Sequence, residues 1–131
     1  MSLQIVVVTP ERTTLDQQVD SVIVPSFDGE RGIYHGHAPL VERLGPGELR
    51  TVSGGQVSRY YVDGGFVQVA DDVVSVLTGR SIPAEEIDIS AARQELEIAE
   101  RESAANSELM ELKQKAIAQA KAQIRLAEGY Y

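Results

Sequence analysis

The sequence predicts a mixed β-then-α protein, with an N-terminal antiparallel β-sandwich or flattened barrel followed by a C-terminal antiparallel two-helix hairpin. Ten of the eleven glycines and all five prolines lie at or before Pro83, whereas residues 84–128 contain neither. Turn signals recur about every 8–12 residues in the first part, which is typical of short antiparallel strands. In the second part, apolar residues recur at helical steps of about three and four. These observations predict one domain over residues 1–83 and a second over residues 84–131.

Short β-branched segments bounded by turn residues predict the strands of the first domain. The predicted strands cover residues 4–8, 13–18, 19–24, 40–44, 48–52, 56–62, 66–70 and 73–78. Pro25 is expected to end the third strand, and the sequences Gly45-Pro46-Gly47 and Asp63-Gly64-Gly65 are expected to interrupt the chain later. Ser53-Gly54-Gly55 predicts a tight hairpin between its flanking strands.

Residues 29–40 contain three glycines and one proline and are expected to form a shaped, rigid loop. Glycine allows left-handed or tightly curved backbone, and Pro39 restricts Ala38 to extended conformations. The large side chains of Ile33, Tyr34 and Leu40 would anchor this loop to a core. The loop would then present charged and titratable side chains at fixed positions, namely those of Glu30, Arg31, His35 and His37.

Two amphipathic helices are predicted in the second domain. Asp88 or Ser90 is a candidate N-cap of the first helix, and Asn106 or Ser107 is a candidate N-cap of the second. Residues 103–107 between them predict a turn. The apolar stripe of the second helix comprises Leu109, Leu112, Ala116, Ala120, Ile124 and Ala127.

The hairpin is expected to be marginally stable because its seam is rich in alanine. In the first helix, Leu96 and Ala99 continue the helical spacing of Ala92. Removing a leucine side chain from water gives about 2 kcal/mol, and an alanine gives much less. Two surface ion pairs with i,i+4 spacing are also predicted, Glu97–Arg101 and Glu111–Lys115.

Charge is sorted along the hairpin. Residues 84–111 carry two basic and nine acidic side chains, whereas residues 112–131 carry four basic side chains and one acidic side chain. The favoured interpretation is pairing between the two helices, since exposed helix charges contribute little beyond local contacts. The alternative is that the basic side chains meet an acidic surface on another protein. The basic residues are Lys113, Lys115, Lys121 and Arg125, and the candidate partners in the first helix are Glu95, Glu97, Glu100 and Glu102.

The bulk composition excludes several function classes. The formal net charge of −8 disfavours binding to nucleic acid and direct attachment to anionic lipid. Cysteine is absent, which excludes disulfides and thiolate metal ligands and suits a reducing compartment. No apolar run approaches the roughly 20 residues of a membrane-spanning helix, and the first residues lack the features of a signal peptide. We therefore expect no direct membrane insertion.

One motif suggests an enzyme, namely the spacing Gly29-x5-His35-x-His37-x4-Glu42. It resembles the first metal-binding motif of cupins, in which two histidines and a glutamate hold a divalent metal. The resemblance would make His35, His37 and Glu42 the ligands. However, the glycine expected after Glu42 is displaced, and the second cupin motif with its third histidine is absent. A small metal-dependent β-barrel enzyme of cupin type remains the alternative interpretation.

No other arrangement for catalysis is visible. Ser26, Ser53 and Ser58 lie in no recognisable nucleophile context, and neither GxGxxG nor GK[ST] occurs. A turn is sufficient to explain the adjacent Asp71 and Asp72. The sequence therefore predicts a non-enzymatic interaction protein without catalytic residues, metal or cofactor.

The sequence of the 29–40 segment resembles a family pattern at nearly every position. It matches G-[ED]-x-G-I-x-P-G-H-A-P-L, a pattern of the epsilon subunit of bacterial and chloroplast F-type ATP synthases. Residues 61–69, which read Tyr-Val-Asp-Gly-Gly-Phe-Val-Gln-Val, resemble the glycine-glycine strand pair of the same family. The order of the two predicted domains is also similar, so the resemblance covers nearly the whole chain.

The resemblance implies a non-catalytic rotor subunit on the cytoplasmic face of a bacterial plasma membrane. In that family the sandwich binds the gamma subunit and the c-ring, and the hairpin can extend into the alpha/beta catalytic head and restrain ATP hydrolysis. The contact with gamma and the c-ring would then fall on Glu30, Arg31, Gly32, Tyr34 and His37. The regulatory contact with the catalytic head would fall on Lys113, Lys115, Lys121 and Arg125.

Three departures from the family pattern have physical consequences. His35 stands where the pattern has proline, which loosens the loop and adds a titratable group. Arg31 replaces a usually apolar residue and is expected to offset part of the charge of Glu30. Some members bind ATP through I/L-D-x-x-R-A, and here Ala91 stands at the arginine position. Arg93 lies about 200° further around the helix, so no nucleotide site is expected.

Overall fold

The computed structural model describes residues 2–129. The chain forms two compact units that divide between Pro83 and Ala84. The first unit contains strands β1 (Leu3–Val8), β2 (Thr13–Val19), β3 (Ser21–Ser26), β4 (Gly29–Tyr34), β5 (Leu40–Ser53), β6 (Gln56–Ala70), β7 (Val73–Leu77) and β8 (Ser81–Pro83). The second contains a 3-10 turn (Ala84–Glu86) and helices α1 (Ile89–Arg101) and α2 (Ser107–Glu128). The outer limits expected for the domains, residues 1 and 131, lie outside the described residues.

Two long strands, β5 and β6, run through both layers of the sandwich. Residues 40–44 of β5 pair with residues 65–69 of β6, beside β7, β1 and β2. The later part of β5 pairs with β3, which pairs with β4, and the early part of β6 pairs with β8. All pairings are antiparallel except the parallel pair β1–β7. The predicted sandwich is confirmed. Among the described strands, the sheet does not close into a barrel.

Strands β5 and β6 continue through the glycine-rich sequences near residues 45 and 64, so the predicted interruptions are wrong. Leu44 pairs with Gly65 and Pro46 pairs with Asp63, so both irregularities lie at the same point of the ladder. Gly65 has φ +106, and a Cβ there would lie 1.9 Å from the carbonyl oxygen of Leu77. Only glycine fits this position, because β7 passes directly against its backbone.

Three further strand predictions need correction. Strand β3 continues through Pro25, which lies opposite Glu30 in the ladder with β4. The first half of the 29–40 segment is an edge strand and not a loop, and β8 was not predicted. Extended chain beside an existing strand forms a ladder even where the local sequence has low strand propensity, because tertiary pairing outweighs propensity.

The core of the sandwich consists of aliphatic side chains. Alternate residues of β1 are buried, as the two-residue repeat of a half-buried strand requires. The buried core cluster comprises Leu3, Ile5, Val7, Val19, Val22, Val24, Ile33, Leu44, Leu49, Val62, Val67, Val69, Val74 and Val76. Ile33 thus anchors β4 to the core as predicted, and the partly buried Leu40 packs against the same core. The predicted anchor at Tyr34 is wrong, because its side chain is exposed.

The hairpin has the predicted caps. Asp88 accepts a hydrogen bond from Ala91 N at 3.0 Å, and Asn106 accepts one from Leu109 N at 2.9 Å. Gly129 ends α2 in the left-handed conformation. Among residues 2–129, no helix is long and apolar enough to span a membrane.

The predicted apolar stripe of α2 is wrong at its N-terminal end. Leu109 is 43% exposed and Leu112 is 63% exposed. Helix α1 has 13 residues and α2 has 22, so part of α2 has no residue of α1 beside it. The linker at residues 102–106 is short and largely polar and covers little of that part. The buried residues of α2 are Ala120, Ala122, Gln123 and Leu126.

Candidate partner-binding surface

Strand β4 forms an exposed edge of the sheet and carries most of the predicted contact residues. Its Ile33 is buried, whereas its other five residues are exposed. Among them, Gly32 shapes the position of Tyr34. A Cβ at residue 32 would lie 3.1 Å from Cε2 and 3.2 Å from Oη of the tyrosine. The ring therefore lies back over Gly32 and presents an aromatic surface that is 60% exposed.

Glu30 is held by a network of charged side chains on β4, β5 and β6. Its carboxylate accepts hydrogen bonds from Arg50 Nη1 at 3.1 Å and Nη2 at 3.3 Å. Arg50 also donates to Glu48, which is 1% exposed, and this bond raises the pKa of Arg50. Arg59 donates to both oxygens of Glu48 at 3.1 Å. Glu30 is thus an exposed acceptor with a fixed position.

Arg31 does not offset the charge of Glu30, contrary to the expectation. Its guanidinium lies 2.7 Å from the carboxylate of Glu42, because neighbouring side chains on a strand point to opposite faces. The hydroxyl of Ser26 also donates to Glu42. These two hydrogen bonds, the one from Ser26 first, hold the pKa of Glu42 below its ordinary value.

The loop after β4 has two attachments. His37 N donates to Tyr34 O at 3.1 Å, which closes a turn. Further contacts join His35 and Gly36 to Asp72 on the turn between β6 and β7, with distances of 2.9 Å and 2.7 Å. The sequence attributes the rigidity of this loop to its own glycines and proline, and the contacts with Asp72 add a second restraint.

The three ligands of the cupin-like motif are not brought together. His35 contacts Asp72, and Glu42 contacts Ser26 and Arg31. The Nδ1 atom of His37 lies 2.7 Å from the carbonyl oxygen of the next residue, Ala38. Within residues 2–129, no group of three or more histidine or carboxylate side chains is arranged to hold a metal ion.

The basic side chains of α2 do not pair with the acidic side chains of α1, so the favoured interpretation is wrong for the described residues. Lys115, Lys121 and Arg125 are exposed and Lys113 is half-buried. None of these four forms an ion pair with residues 2–129. The predicted i,i+4 pair at residues 111 and 115 is likewise absent there, whereas the pair at residues 97 and 101 forms at 3.2 Å.

The ion pair that joins the two helices has the opposite polarity. Arg93 of α1 lies 2.9 Å from Glu128 of α2. Arg93 is therefore not available to replace the arginine missing at Ala91. The carboxylate of Asp88, the acidic residue of the same motif, caps α1.

Sequence reasoning missed Glu48, Arg50, Arg59 and Asp72. Glu48 and Arg50 are two residues apart on β5, so their side chains share a face. The contact between Glu48 and Arg50 could therefore have been predicted from their spacing on a strand. The contact with Arg59 depends on the register between β5 and β6, in which Arg59 lies opposite Arg50. The contact of Asp72 with the 29–40 segment spans 36 residues of sequence and leaves no local pattern.

Comparison with known proteins gives a consistent result for both parts of the chain. Residues 2–84 match the model of the family described as ATP synthase, Delta/Epsilon chain, beta-sandwich domain. The ATP synthase epsilon chain of Rhodopirellula baltica is 50% identical over 127 residues, which covers 95% of this chain and 98% of that one. The ATP synthase epsilon chain of Propionigenium modestum, described as sodium ion specific, is 32% identical over 95% of this chain and 92% of that one.

Two solved structures have a similar fold. A chain in the Euglena gracilis mitochondrial ATP synthase OSCP/F1/c-ring assembly matches with a TM-score of 0.79 and 26% identity, covering 92% of this chain and 78% of that chain. A chain in the central stalk/c-ring part of the Tetrahymena thermophila mitochondrial ATP synthase matches with a TM-score of 0.76, covering 97% of each chain. Its identity of 12% supports the fold alone.

Proposed function

This chain belongs to the family of ATP synthase epsilon chains, which are non-catalytic stalk subunits, and we propose that it links gamma to the c-ring and restrains ATP hydrolysis through its hairpin. Membership of this family contradicts the alternative interpretation as a metal-dependent cupin enzyme, which is therefore wrong. The proposed location is peripheral, within the complex at the cytoplasmic face of a bacterial plasma membrane. The proposed partners are gamma, the c-ring and the alpha/beta catalytic subunits.

The observation that carries the c-ring contact is the exposed edge strand β4 with Glu30 held in place by Arg50. A partner loop can approach an edge strand without disturbing the core. The Glu30 side chain is 52% exposed although it is paired, so its carboxylate can accept further hydrogen bonds from a polar loop. Tyr34 adds an aromatic contact beside it. The guanidinium of Arg50 fixes the carboxylate position and reduces the entropy that binding costs.

The regulatory contact is supported by the unpaired basic side chains of α2 together with an apolar tip on the hairpin. We define the apolar tip as the exposed side chains of Ile98, Leu109, Met110 and Leu112. The four basic residues need not break ion pairs with α1 before they meet acidic groups. Each exposed ion pair contributes a few tenths of a kcal/mol, so four of them give about 1–2 kcal/mol, roughly a five- to thirty-fold shift between two states.

We further propose that the hairpin does not sense ATP. Ala91 removes the motif's arginine, and Arg93 is paired with Glu128. Isothermal titration of the chain with ATP should show no binding tighter than millimolar. Micromolar binding would contradict this part of the proposal and would show that another cation replaces the arginine.

Cysteine crosslinking tests the c-ring contact, and the absence of native cysteine makes the background clean. Glu30→Cys should crosslink to a cysteine in the polar loop of the c-ring in an assembled, coupled complex. Glu11→Cys, between β1 and β2, is the control and should crosslink far less. Equal crosslinking yields for the cysteines at residues 30 and 11, or no crosslink at residue 30, would contradict the proposed c-ring contact.

Hydrolysis assays test the restraint. Deleting residues 84–131 should leave assembly intact and raise ATP hydrolysis. Replacing Lys113, Lys115, Lys121 and Arg125 by alanine should raise it less. The matched control is Arg101→Ala, which removes a cation already paired with Glu97 and should leave the rate unchanged. A truncated complex that hydrolyses ATP no faster than the intact one would show that the hairpin does not inhibit.

A further inference from the structure

Asp72 lies on a rigid turn in the layer opposite β4. Asp71 and Asp72 have φ values of +51 and +61, and the carbonyl oxygen of Asp72 accepts a hydrogen bond from Gln4 N at 2.9 Å. The turn is therefore attached to β1 as well as to β6 and β7. Aspartate tolerates the left-handed conformation of such a turn.

The carboxylate of Asp72 uses one oxygen for each of two neighbours in the 29–40 segment. Its Oδ1 atom accepts a hydrogen bond from Gly36 N at 2.7 Å. Its Oδ2 atom lies 2.9 Å from Nδ1 of His35. The Asp72 side chain is 33% exposed and that of His35 is 44% exposed. The bond to Gly36 has a backbone donor, so it persists whenever the Asp72 carboxylate is ionised.

The contact with Asp72 compensates for a backbone restraint that is missing at position 35. A proline there would restrict its own φ and hold Tyr34 extended, whereas His35 does neither. Strand β4 ends one residue earlier, at Tyr34, so the ladder with β3 gives no further support. Beyond β4, the contacts of the loop with its own strand and within itself are the bond from His37 N to Tyr34 O and the short contact of His37 Nδ1 with the next residue, Ala38.

We propose that Asp72 is a positioning residue for the c-ring contact, and that it holds the loop at residues 35–39 in place of the restraint that proline would give. The proposal rests on the proposed contact function of the 29–40 segment. Asp72 itself touches no partner in this proposal. It sets the position of Gly36 and His35, and through them the position of His37.

The charged partner of His35 is Asp72, at 2.9 Å. Asp71 and Asp72 belong to the facing turn, and His37 belongs to the same loop. Asp71 has no hydrogen bond or ion pair with residues 2–129, although it shares the turn geometry of Asp72. It therefore serves as a matched control position, because the same substitution there affects the same turn without removing the contact.

Amide hydrogen exchange of the full chain tests the contact directly. Asp72→Gly removes the carboxylate, and glycine suits the positive φ, so the turn itself is kept. Exchange at Gly36 should accelerate about tenfold, the loss of a charge-assisted hydrogen bond at a half-exposed site. Asp71→Gly should change it by less than about twofold. Equal acceleration in both variants, or none in Asp72→Gly, would overturn the proposal.

A rescue variant separates positioning from a general effect on stability. His35→Pro combined with Asp72→Gly should return the order of the loop, because the proline ring supplies the lost restraint. In the assembled complex, His37→Cys should crosslink to the c-ring about threefold less in the Asp72→Gly background. The yield should recover when His35→Pro is added. Glu30→Cys should keep its yield throughout, since the β3–β4 ladder holds the backbone of residue 30.

The outcomes distinguish the two proposals. If neither cysteine crosslinks in the parent complex, the c-ring contact fails, while hydrogen exchange still decides whether Asp72 orders the loop. If both cysteines crosslink and His37→Cys is unaffected by Asp72→Gly, the positioning role is wrong. If adding His35→Pro fails to restore either exchange protection or crosslinking, the idea that Asp72 replaces a proline restraint is also wrong.

Discussion

The sandwich and the hairpin bury different kinds of side chain. The sandwich core is formed by valine, isoleucine and leucine, most of them fully buried. Among the described residues of the hairpin, four of the six buried helix residues are alanine, and the only large apolar one is Leu126. Burying a valine or leucine contributes about 1.5–3 kcal/mol, and burying an alanine contributes much less. Apolar burial therefore contributes more to the stability of the sandwich than to that of the hairpin.

The two units also differ in how their charged side chains are paired. In the sandwich, Glu48 is fully buried between Arg50 and Arg59, and Asp63 is held by Arg80 at 3.1 Å. In the hairpin, four basic side chains of α2 have no ion pair within residues 2–129. Paired charges specify a single arrangement, whereas unpaired ones remain available to a partner. The following experiments test this contrast, beginning with the largest expected effect.

Gly65→Ala should strongly destabilise the sandwich. The new Cβ would meet the carbonyl oxygen of Leu77 at 1.9 Å, and φ is +106, so strain and overpacking add to about 3–5 kcal/mol. Urea unfolding followed by circular dichroism measures the loss. Gly54→Ala is the control, since its φ is also positive but its Cβ meets nothing within 4 Å. A loss no larger than that of the control would contradict the close approach of β7 to β6.

Glu48→Gln should destabilise the sandwich by about 2–3 kcal/mol. The uncharged amide leaves Arg50 and Arg59 without their shared carboxylate. The same unfolding measurement applies, with Glu97→Gln in the exposed pair to Arg101 as the control, expected within about 0.5 kcal/mol. Similar values for the two variants would show that the network at Glu48 contributes no more than a surface ion pair.

Ser26→Ala should raise the pKa of Glu42 toward its ordinary value of 4.5, because it removes the largest cause of the depression. A depressed pKa in the folded state stabilises the protein above the unfolded-state pKa, and this contribution disappears as pH falls through the folded-state pKa. The difference in urea midpoint between parent and variant should therefore narrow below about pH 4.5.

Carboxyl chemical shifts of Glu42 recorded against pH measure the change directly. Ser58→Ala, at an exposed position of β6, is the matched control and should leave the titration of Glu42 unchanged. If the Glu42 titration curves of the parent and Ser26→Ala coincide, the hydrogen bond from Ser26 does not perturb Glu42.

Alanine at Lys113, Lys115, Lys121 and Arg125 together should change the unfolding free energy by less than about 1 kcal/mol. These side chains have no ion pair to lose within the described hairpin, so their removal should affect hydrolysis and not folding. Thermal unfolding of the isolated full chain measures this. A loss of 2 kcal/mol or more would show that the cations stabilise the hairpin itself and would weaken the contrast with the sandwich.

Several features of the fold and the site could be read from local sequence. The hairpin turn at residues 53–55 and the caps at Asp88 and Asn106 were predicted, because each depends on residues adjacent in the chain. The glycine-rich sequences near residues 45 and 64 were mistaken for strand ends. Local sequence shows that glycine permits an unusual conformation, but not whether a neighbouring strand continues alongside it.

The amino-acid sequence alone determined the fold class and the approximate division of the chain, and it indicated the segment for which we propose a contact role. These depend on composition, short-range periodicity and a twelve-residue pattern. Tertiary structure alone decided which charged side chains pair between different strands and turns of the sandwich. Arg50 reaches Glu30 and Asp72 reaches Gly36 over 20 and 36 residues of sequence. Strand register and the approach of the two layers set those contacts, because a hydrogen bond requires atoms within about 3 Å, and local sequence does not specify such distances.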